Sequence, residues 1–412
     1  MKTFEELYRS VLENALRGDT AAPPDGEVSA RQLDCLLHPD AYPPVWRLED
    51  CACGEGEPRC AAACLFQAIS RDEDGSVRIH PDLCAGCGAC VEACESGALT
   101  ASRDILPALD AIKHAEGPVY VLIAPAFLGQ FSAGVTPGKL RSAFKALGCE
   151  GMVEVALFAD VLTLKEALEF DRNIRSEKDF QLTSCCCPMW IAMIRKVYHE
   201  LLPNVPGAVS PMIAAGRTVK LLHPDALTIF VGPCLAKKAE AREPDLKGAV
   251  DYVLTFQEVG DIFRAADIQP EQMTPDERDH SSRAGRIYAR EGGVSAAVRA
   301  TVEQLHPHRP IRIKTQQASG VPACRAMIDA IRSGDRTCNF FEGMGCVGGC
   351  VGGPKAVLPT DTGRVNVERY GDEAEFATPL DNPYVLELLR LLGFETVESF
   401  LENSDIFTRS FE

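Results

Sequence analysis

The sequence predicts a small, cysteine-rich α+β unit near the N-terminus, followed by a larger α/β domain whose parallel sheets are flanked by helices. Three observations predict it. Residues 51–94 hold eight cysteines, far denser than ordinary core material. From Val119 onward short apolar runs alternate with amphipathic stretches, the texture of parallel strands covered on both faces. Gly117 and Pro118 punctuate the junction. The expected division is residues 1–47 as a helix and loop segment, 48–105 as the cysteine-rich domain and 117–412 as the large domain.

Within this frame, Phe4, Leu7, Val11, Leu12 and Leu16 stand at helical spacing. Residues 18–48 are loop-rich, with Pro23, Pro24, Pro39, Pro43 and Pro44. Residues 119–124, 152–158, 227–231 and 250–254 read as buried strands. Residues 139–147, 162–174, 188–201, 292–305 and 324–331 read as helices. Open parallel sheets place ligands beyond the carboxyl ends of their strands. TSCCCPMW and FVGPCLAKK each put cysteine where a strand hands over to a helix.

Composition narrows the function. A 412-residue chain with a formal net charge of -17 lacks the basic footprint of nucleic-acid or anionic-membrane binding. The longest apolar stretch, 119–131, is interrupted by Pro125 and is too short to span a bilayer. The N-terminal residues carry Glu5, Glu6 and Glu13 and lack the apolar centre of a secretion signal. The expected location is therefore the cytoplasm. Thiols stay reduced there, so 18 cysteines point to metal or catalysis rather than disulfides.

Cys84, Cys87, Cys90 and Cys94 form C-x2-C-x2-C-x3-C. Three thiolates at steps of three wrap successive corners of an iron–sulfur cube, and the fourth belongs to a neighbouring cluster. Zinc prefers two separated ligand pairs. Cys51, Cys53, Cys60 and Cys64 form a distorted copy, and the run after Cys64 (L-F-Q-A-I) matches the run after Cys94 (E-S-G-A-L). Residues 51–99 resemble a bacterial-type ferredoxin domain with two 4Fe-4S clusters. The family's proline after the last cysteine of each set is replaced by Leu65 and Glu95. The resemblance implies crossed ligation. One cluster takes Cys51, Cys53, Cys60 and Cys94, the other Cys84, Cys87, Cys90 and Cys64.

Three further segments set cysteine beside glycine or proline: residues 183–190, 232–240 and 342–353. Pro188 suits the first position of a helix, which puts Cys187 at a helix N-terminus that favours thiolate. Cys234 follows a buried strand, with Lys237 one turn on and Glu240 two turns on. Cys346 and Cys350 lie in a glycine-rich run that lets backbone approach a bulky inorganic object. Together Cys187, Cys234, Cys346 and Cys350 make a four-thiolate set.

These segments resemble, in order, the three signature motifs of iron-only (diiron) hydrogenases, and the tripled cysteine resembles the TSCCCP branch called group B. The resemblance implies a two-lobed catalytic domain holding an H-cluster: a 4Fe-4S cube on those four cysteines, bridged through Cys350 to a diiron subsite with CO, cyanide and dithiolate ligands. It implies reversible interconversion of protons and electrons with H2. Electrons arrive from a ferredoxin or flavodoxin-like carrier, and maturation proteins supply the diiron subsite. Cys186 matches the thiol that passes protons, a role suited to a group titrating not far above neutrality. Cys185 is the extra member of the triplet, either bystander or tuner. Lys237 matches a lysine that donates to a cyanide ligand, and Met344 matches a methionine beside the diiron subsite. Pro125 and Ala126 match the backbone lining the other cyanide. Gly292, Gly293 and Val294 match a glycine-rich helix start lining the pocket. Glu166 and Glu169 share a helix face and match relay glutamates.

The departures are specific. Gly232 stands where a methionine is usual, which predicts a roomier pocket. No relay serine appears near Pro206 and Gly207. Asn173 stands in place of an arginine, with Arg172 adjoining. Pro354 replaces a third glycine. Cys35, Cys149, Cys324 and Cys338 match no ligand position and read as core. The rival readings are a hydrogen sensor and a cluster-assembly relative without high turnover. Retention of Cys186, Lys237, Met344 and Cys350 favours catalysis.

Overall fold

The computed structural model describes residues 2–18, 27–49, 51, 58–73, 75–183, 186–402 and 405–411. Helix α1 (Phe4–Arg17) starts on a reciprocal Thr3–Glu6 capping box and stops at Gly18, whose left-handed backbone glycine tolerates best. Its buried face of Phe4, Leu7, Tyr8, Val11, Leu12 and Ala15, together with Cys35 and Leu36 of α2 (Ala30–Leu37), joins the main core of the molecule. Helices α1 and α2 are thus part of the large body.

Strand β1 (Val45–Arg47) follows. Helix α3 (Arg59–Ala62), the hairpin of β2 (Ile69–Arg71) with β3 (Val77–Ile79), and helix α4 (Ala89–Glu92) come next. Strand β4 (Leu99–Ala101) then returns antiparallel to β1. That pairing draws Val45, Trp46 and Arg47 into the cysteine-rich unit, ahead of the boundary expected at residue 48.

Helix α5 (Ile105–His114) leads into the large body, where two parallel sheets form. Strand β5 (Val119–Ile123), helix α6 (Pro137–Ala146), strand β6 (Gly151–Glu154), helix α7 (Val155–Asn173) and strand β7 (Gln181–Leu182) run first. Then come α8 (Pro188–Lys196), α9 (Pro211–Leu222), β8 (Leu227–Gly232), α10 (Ala236–Ala241), β9 (Tyr252–Thr255) and α11 (Phe256–Ala265). After α12 (Arg283–Arg286) and α13 (Gly293–Leu305), strands β10 (Thr315–Ser319) and β11 (Phe340–Met344) flank α14 (Val321–Arg332). Helices α15 (Thr360–Asp372), α16 (Pro383–Leu391) and α17 (Val397–Glu402) close the chain.

One sheet has the order β6-β5-β8-β9 and the other β10-β11-β7, with every pairing parallel. This is the α/β architecture the alternating texture predicts. Helix α7 packs on α9, α12 and α13 and is buried almost all round. Its buried Asp160 knits the wall, accepting from Ser282 N at 2.6 Å, Gly285 N at 2.8 Å and Asn382 Nδ2 at 3.3 Å.

Three local expectations change. Residues 152–158 do not form one strand: β6 ends at Glu154 and α7 begins at Val155. A helix apolar on every face gives the continuous run that also signals a buried strand. The helix expected over 188–201 stops at Lys196, and a 3-10 segment runs from His199 to Asn204. Strands β7, β10 and β11 lay outside the expected set, because β7 is two residues long and β10 (TQQAS) lacks apolar alternation.

Candidate metal centre

Each predicted ligand segment leaves the carboxyl end of a strand. Cys186 and Cys187 follow β7, and Cys187 is the N-cap of α8, with Pro188 in its first turn. Cys234 lies between β8 and α10, and Cys346 follows β11 directly. The two sheets therefore aim their carboxyl ends at one place, where parallel sheets bind ligands.

That place holds a cavity. Cys187, Cys234, Cys346 and Cys350 line it, together with Cys186, Lys237, Met344 and Pro125. Among the described residues no three His, Cys, Asp or Glu side chains converge tightly enough for a single metal ion. The thiols ring a space instead, and the rest of the wall is largely apolar. Four soft donors on a dry cavity suit a cluster with sulfide corners. Gly345 N donates to Cys187 Sγ at 3.3 Å, which ties the loop after β11 to the start of α8. A β-carbon at Gly349 would lie 2.6 Å from Glu291 N and 2.8 Å from Met344 Sδ, and its φ of +90° favours glycine too. Backbone closeness here requires the glycine run.

The surrounding charges are organised. Lys237 is buried, and its Nζ donates to Glu240 at 2.7 Å. Burial works against its charge, but Glu240 and the neighbouring Cys234 and Cys350 outweigh it and hold its pKa above the ordinary lysine range. Glu342 accepts from Gly292 N at 2.9 Å and Ser295 N at 2.7 Å, pinning β11 to the N-terminus of α13. Burial pushes the Cys186 thiol well above its usual range, and Cys187, Glu342, Cys350 and Glu166 push the same way.

Several wall residues differ from expectation. Ala124 borders the cavity beside Pro125, whereas Ala126 is buried and does not line it. Gly292, Gly293 and Val294 do not line it either; Tyr288 and Ala289 do. Gly293 instead packs on the Ile287 backbone, where a β-carbon would come within 1.9 Å of the carbonyl oxygen. Met212 and Phe230 also form wall that sequence reasoning missed. Phe230 had a signal: it lies two residues before Gly232 on β8 and so shares its face. Its ring fills the space that the glycine was expected to open.

Glu166 and Glu169 lie on α7, and both are buried. The Glu169 carboxylate pairs with the buried Lys165 ammonium. Burial raises the Glu169 pKa, opposed by Lys165 and Arg172.

The cysteine-rich unit holds a second cavity, lined by Cys64, Cys84, Cys87 and Cys90. Cys64 thus joins the three cysteines of the other set, as crossed ligation requires. Cys51, Cys60 and Cys94 pack in one apolar cluster with Val45, Ile69, Val77 and Leu99, a cluster that also takes in Cys64 and Cys90. Cys53 and Cys185 lie outside the described residues. At Cys94 burial is outweighed by the Ser96 hydroxyl and the backbone amides of Leu99, Ala98 and Gly97, which lower the thiol pKa. The loop bearing Cys84 and Cys87 abuts the large cavity. A β-carbon on Gly86, whose φ is +68°, would meet Ala236 Cα at 3.1 Å, and the charge of Cys87 is felt at Cys346. Pro354 lies against Gly88 in the same seam.

Comparison with known proteins places this geometry. Residues 117–354 match the family model "Iron only hydrogenase large subunit, C-terminal domain", and residues 77–100 match a 4Fe-4S binding domain. Iron hydrogenase 1 of Clostridium pasteurianum is 27% identical over 315 residues, 63% of this chain. The match spans 55% of that protein's length, so the chain covers little more than half of this relative. Cytosolic iron-sulfur assembly component 3 of Pongo abelii is 25% identical, over 89% of this chain and 92% of that protein. A solved structure of a variant of FeFe-hydrogenase HydA1 from Chlamydomonas reinhardtii shares the fold, with a TM-score of 0.58 and 22% identity. That similarity covers 73% of this chain and 97% of that one.

Proposed function

Because the chain belongs to the iron-only hydrogenase family, we propose that it interconverts two protons and two electrons with dihydrogen. The observation that carries this reading is the single cavity bordered by Cys187, Cys234, Cys346 and Cys350 together with Cys186, Lys237 and Met344. An H-cluster would be held there by Cys187, Cys234, Cys346 and Cys350 and would supply the redox chemistry.

The chain's own groups do the rest. Lys237, steadied by Glu240, offers an ammonium donor to an anionic ligand. Met344, Phe230 and Met212 exclude water from the cavity. Cys186 holds and releases the proton at the cavity wall, acting as general acid and base. Glu166 and Glu169 relay protons between Cys186 and the surface. Cys51, Cys53, Cys60 and Cys94 would hold one 4Fe-4S cluster and Cys64, Cys84, Cys87 and Cys90 another, and the pair would carry electrons. A ferredoxin or flavodoxin-like carrier in the cytoplasm supplies them, and maturation proteins install the diiron subsite. No helix among the described residues is long and apolar enough to cross a membrane.

Infrared spectroscopy of protein matured with its diiron subsite tests the reading: CO and cyanide stretching bands are expected, with viologen-linked hydrogen evolution. A second reading, a role in cluster assembly, is favoured by the near-complete span of the assembly component's match. Intact iron–sulfur clusters without CO or cyanide bands after maturation would favour that role instead.

A further inference from the structure

Three buried polar atoms find no hydrogen-bond partner among the described residues and lie in adjoining segments: Glu169 Oε2, Gln181 Oε1 and Thr183 Oγ1. Their residues are at most 4% exposed. Residues 181 and 183 are two apart on an extended stretch, so they point to one side. That side faces α7, because Gln181 Nε2 donates to the Glu166 carbonyl at 3.5 Å. The other carboxylate oxygen of Glu169 is taken by Lys165, which fixes how the carboxylate is presented.

A polar surface cavity meets this group from outside. Glu169, Gln181, Asn173, Asp179 and Asn204 line it, and so does Gly207, where no relay serine stands. Thr183 lies further in, three residues before Cys186. Buried acceptors are costly when unmade and are commonly satisfied by ordered water, which needs a polar site with several partners.

We propose that Gln181 and Thr183 position a file of ordered water that carries protons inward from Glu169 past Glu166 to Cys186. Each hop breaks one O–H bond and forms the next, ending as an S–H bond on Cys186, with no electron transferred. The route's purpose rests on the hydrogenase reading, but its existence does not. Gln181 and Thr183 are positioning residues, acting through the water they hold.

The test uses the full chain with its iron–sulfur clusters, transferred from H2O to D2O at mildly acidic pH. Infrared bands of the protonated Glu166 and Glu169 carboxyls are assigned with Glu166→Gln and Glu169→Gln. Gln181→Met and Thr183→Val are each expected to slow deuteration of Glu166 by about tenfold or more while sparing Glu169 at the mouth. Gln181→Ser, which restores a hydroxyl and space for water, should recover most of the rate. Unchanged Glu166 exchange in the Gln181→Met, Thr183→Val double variant would overturn the proposal. So would a parallel change at both glutamates, the mark of loosened packing. Slowed Glu166 exchange in a protein whose wild type evolves no hydrogen would uphold the water file and remove the hydrogenase reading.

Discussion

The ring of Phe230 occupies the space that a side chain at position 232 would need: a β-carbon built on Gly232 would lie 2.8 Å from it. Ala124 closes the other side at 3.1 Å. The glycine and the phenylalanine are a matched pair on one face of β8, and the phenylalanine forms part of the cavity wall.

Substituting one member alone should strain that wall. Gly232→Ala is expected to cost about 1–3 kcal/mol through overpacking and to lower the melting temperature of the iron-free chain. Adding Phe230→Ala to Gly232→Met, which moves the bulk from one position to the other, should regain most of that loss. Thermal unfolding of the single and double variants checks the coupling.

Proton handling and cluster holding should separate by one residue in the triplet. Cys186→Ala is expected to lower hydrogen turnover by roughly a hundredfold or more while iron stays at about 14 atoms per chain. Cys187→Ala removes a ligand and should reduce the iron count as well. Iron analysis beside a viologen-linked assay distinguishes the two.

Close approach at Gly86 predicts a defect in electron delivery. Gly86→Val puts a branched side chain against the backbone at Ala236 and into a left-handed conformation that it resists. Hydrogen evolution driven from reduced relay clusters should slow severalfold with the cluster content unchanged. Stopped-flow reduction followed by hydrogen detection reads this directly.

The C-terminal tail should come loose in acid. Arg409, buried, holds Glu243 at 2.6 Å and Asp245 at 3.0 Å, and Arg195 also reaches Glu243 at 2.6 Å. Burial raises the Glu243 pKa, but the two guanidiniums outweigh it and hold it below the ordinary carboxylate range. A depressed carboxylate stabilises the fold at neutral pH, and that stabilisation is lost as pH falls through its lowered pKa. Arg409→Ala is therefore expected to destabilise the chain by about 1–3 kcal/mol at pH 7, with the difference from wild type shrinking under strong acid. Melting curves across pH check the sign.

The cysteines that border the two cavities were legible because cluster chemistry is local in its demands. Thiolates at steps of three, or at the turn from strand to helix, leave a spacing that survives in one dimension. Parallel architecture was legible for a similar reason, since buried strands alternating with helices leave a periodic texture. Other features left none. The run that opens α7 mixes apolar residues on every face, so its start looked like strand. The polar strand β10 becomes a strand only because β11 lies beside it.

The sequence by itself determined which cysteines stand in cluster-like spacings, their order along the chain, and the family to which the three motifs belong. The tertiary structure decided which side chains enclose the site. Phe230, Met212, Tyr288 and Ala289 reach the cavity, while Gly292, Gly293 and Val294 do not. It also decided that Glu166 and Glu169 are buried and that Lys165 pairs with Glu169. The physical reason is range. A ligand motif is set by bonds to one compact object, whereas burial and pairing are set by where two sheets and the helices between them meet.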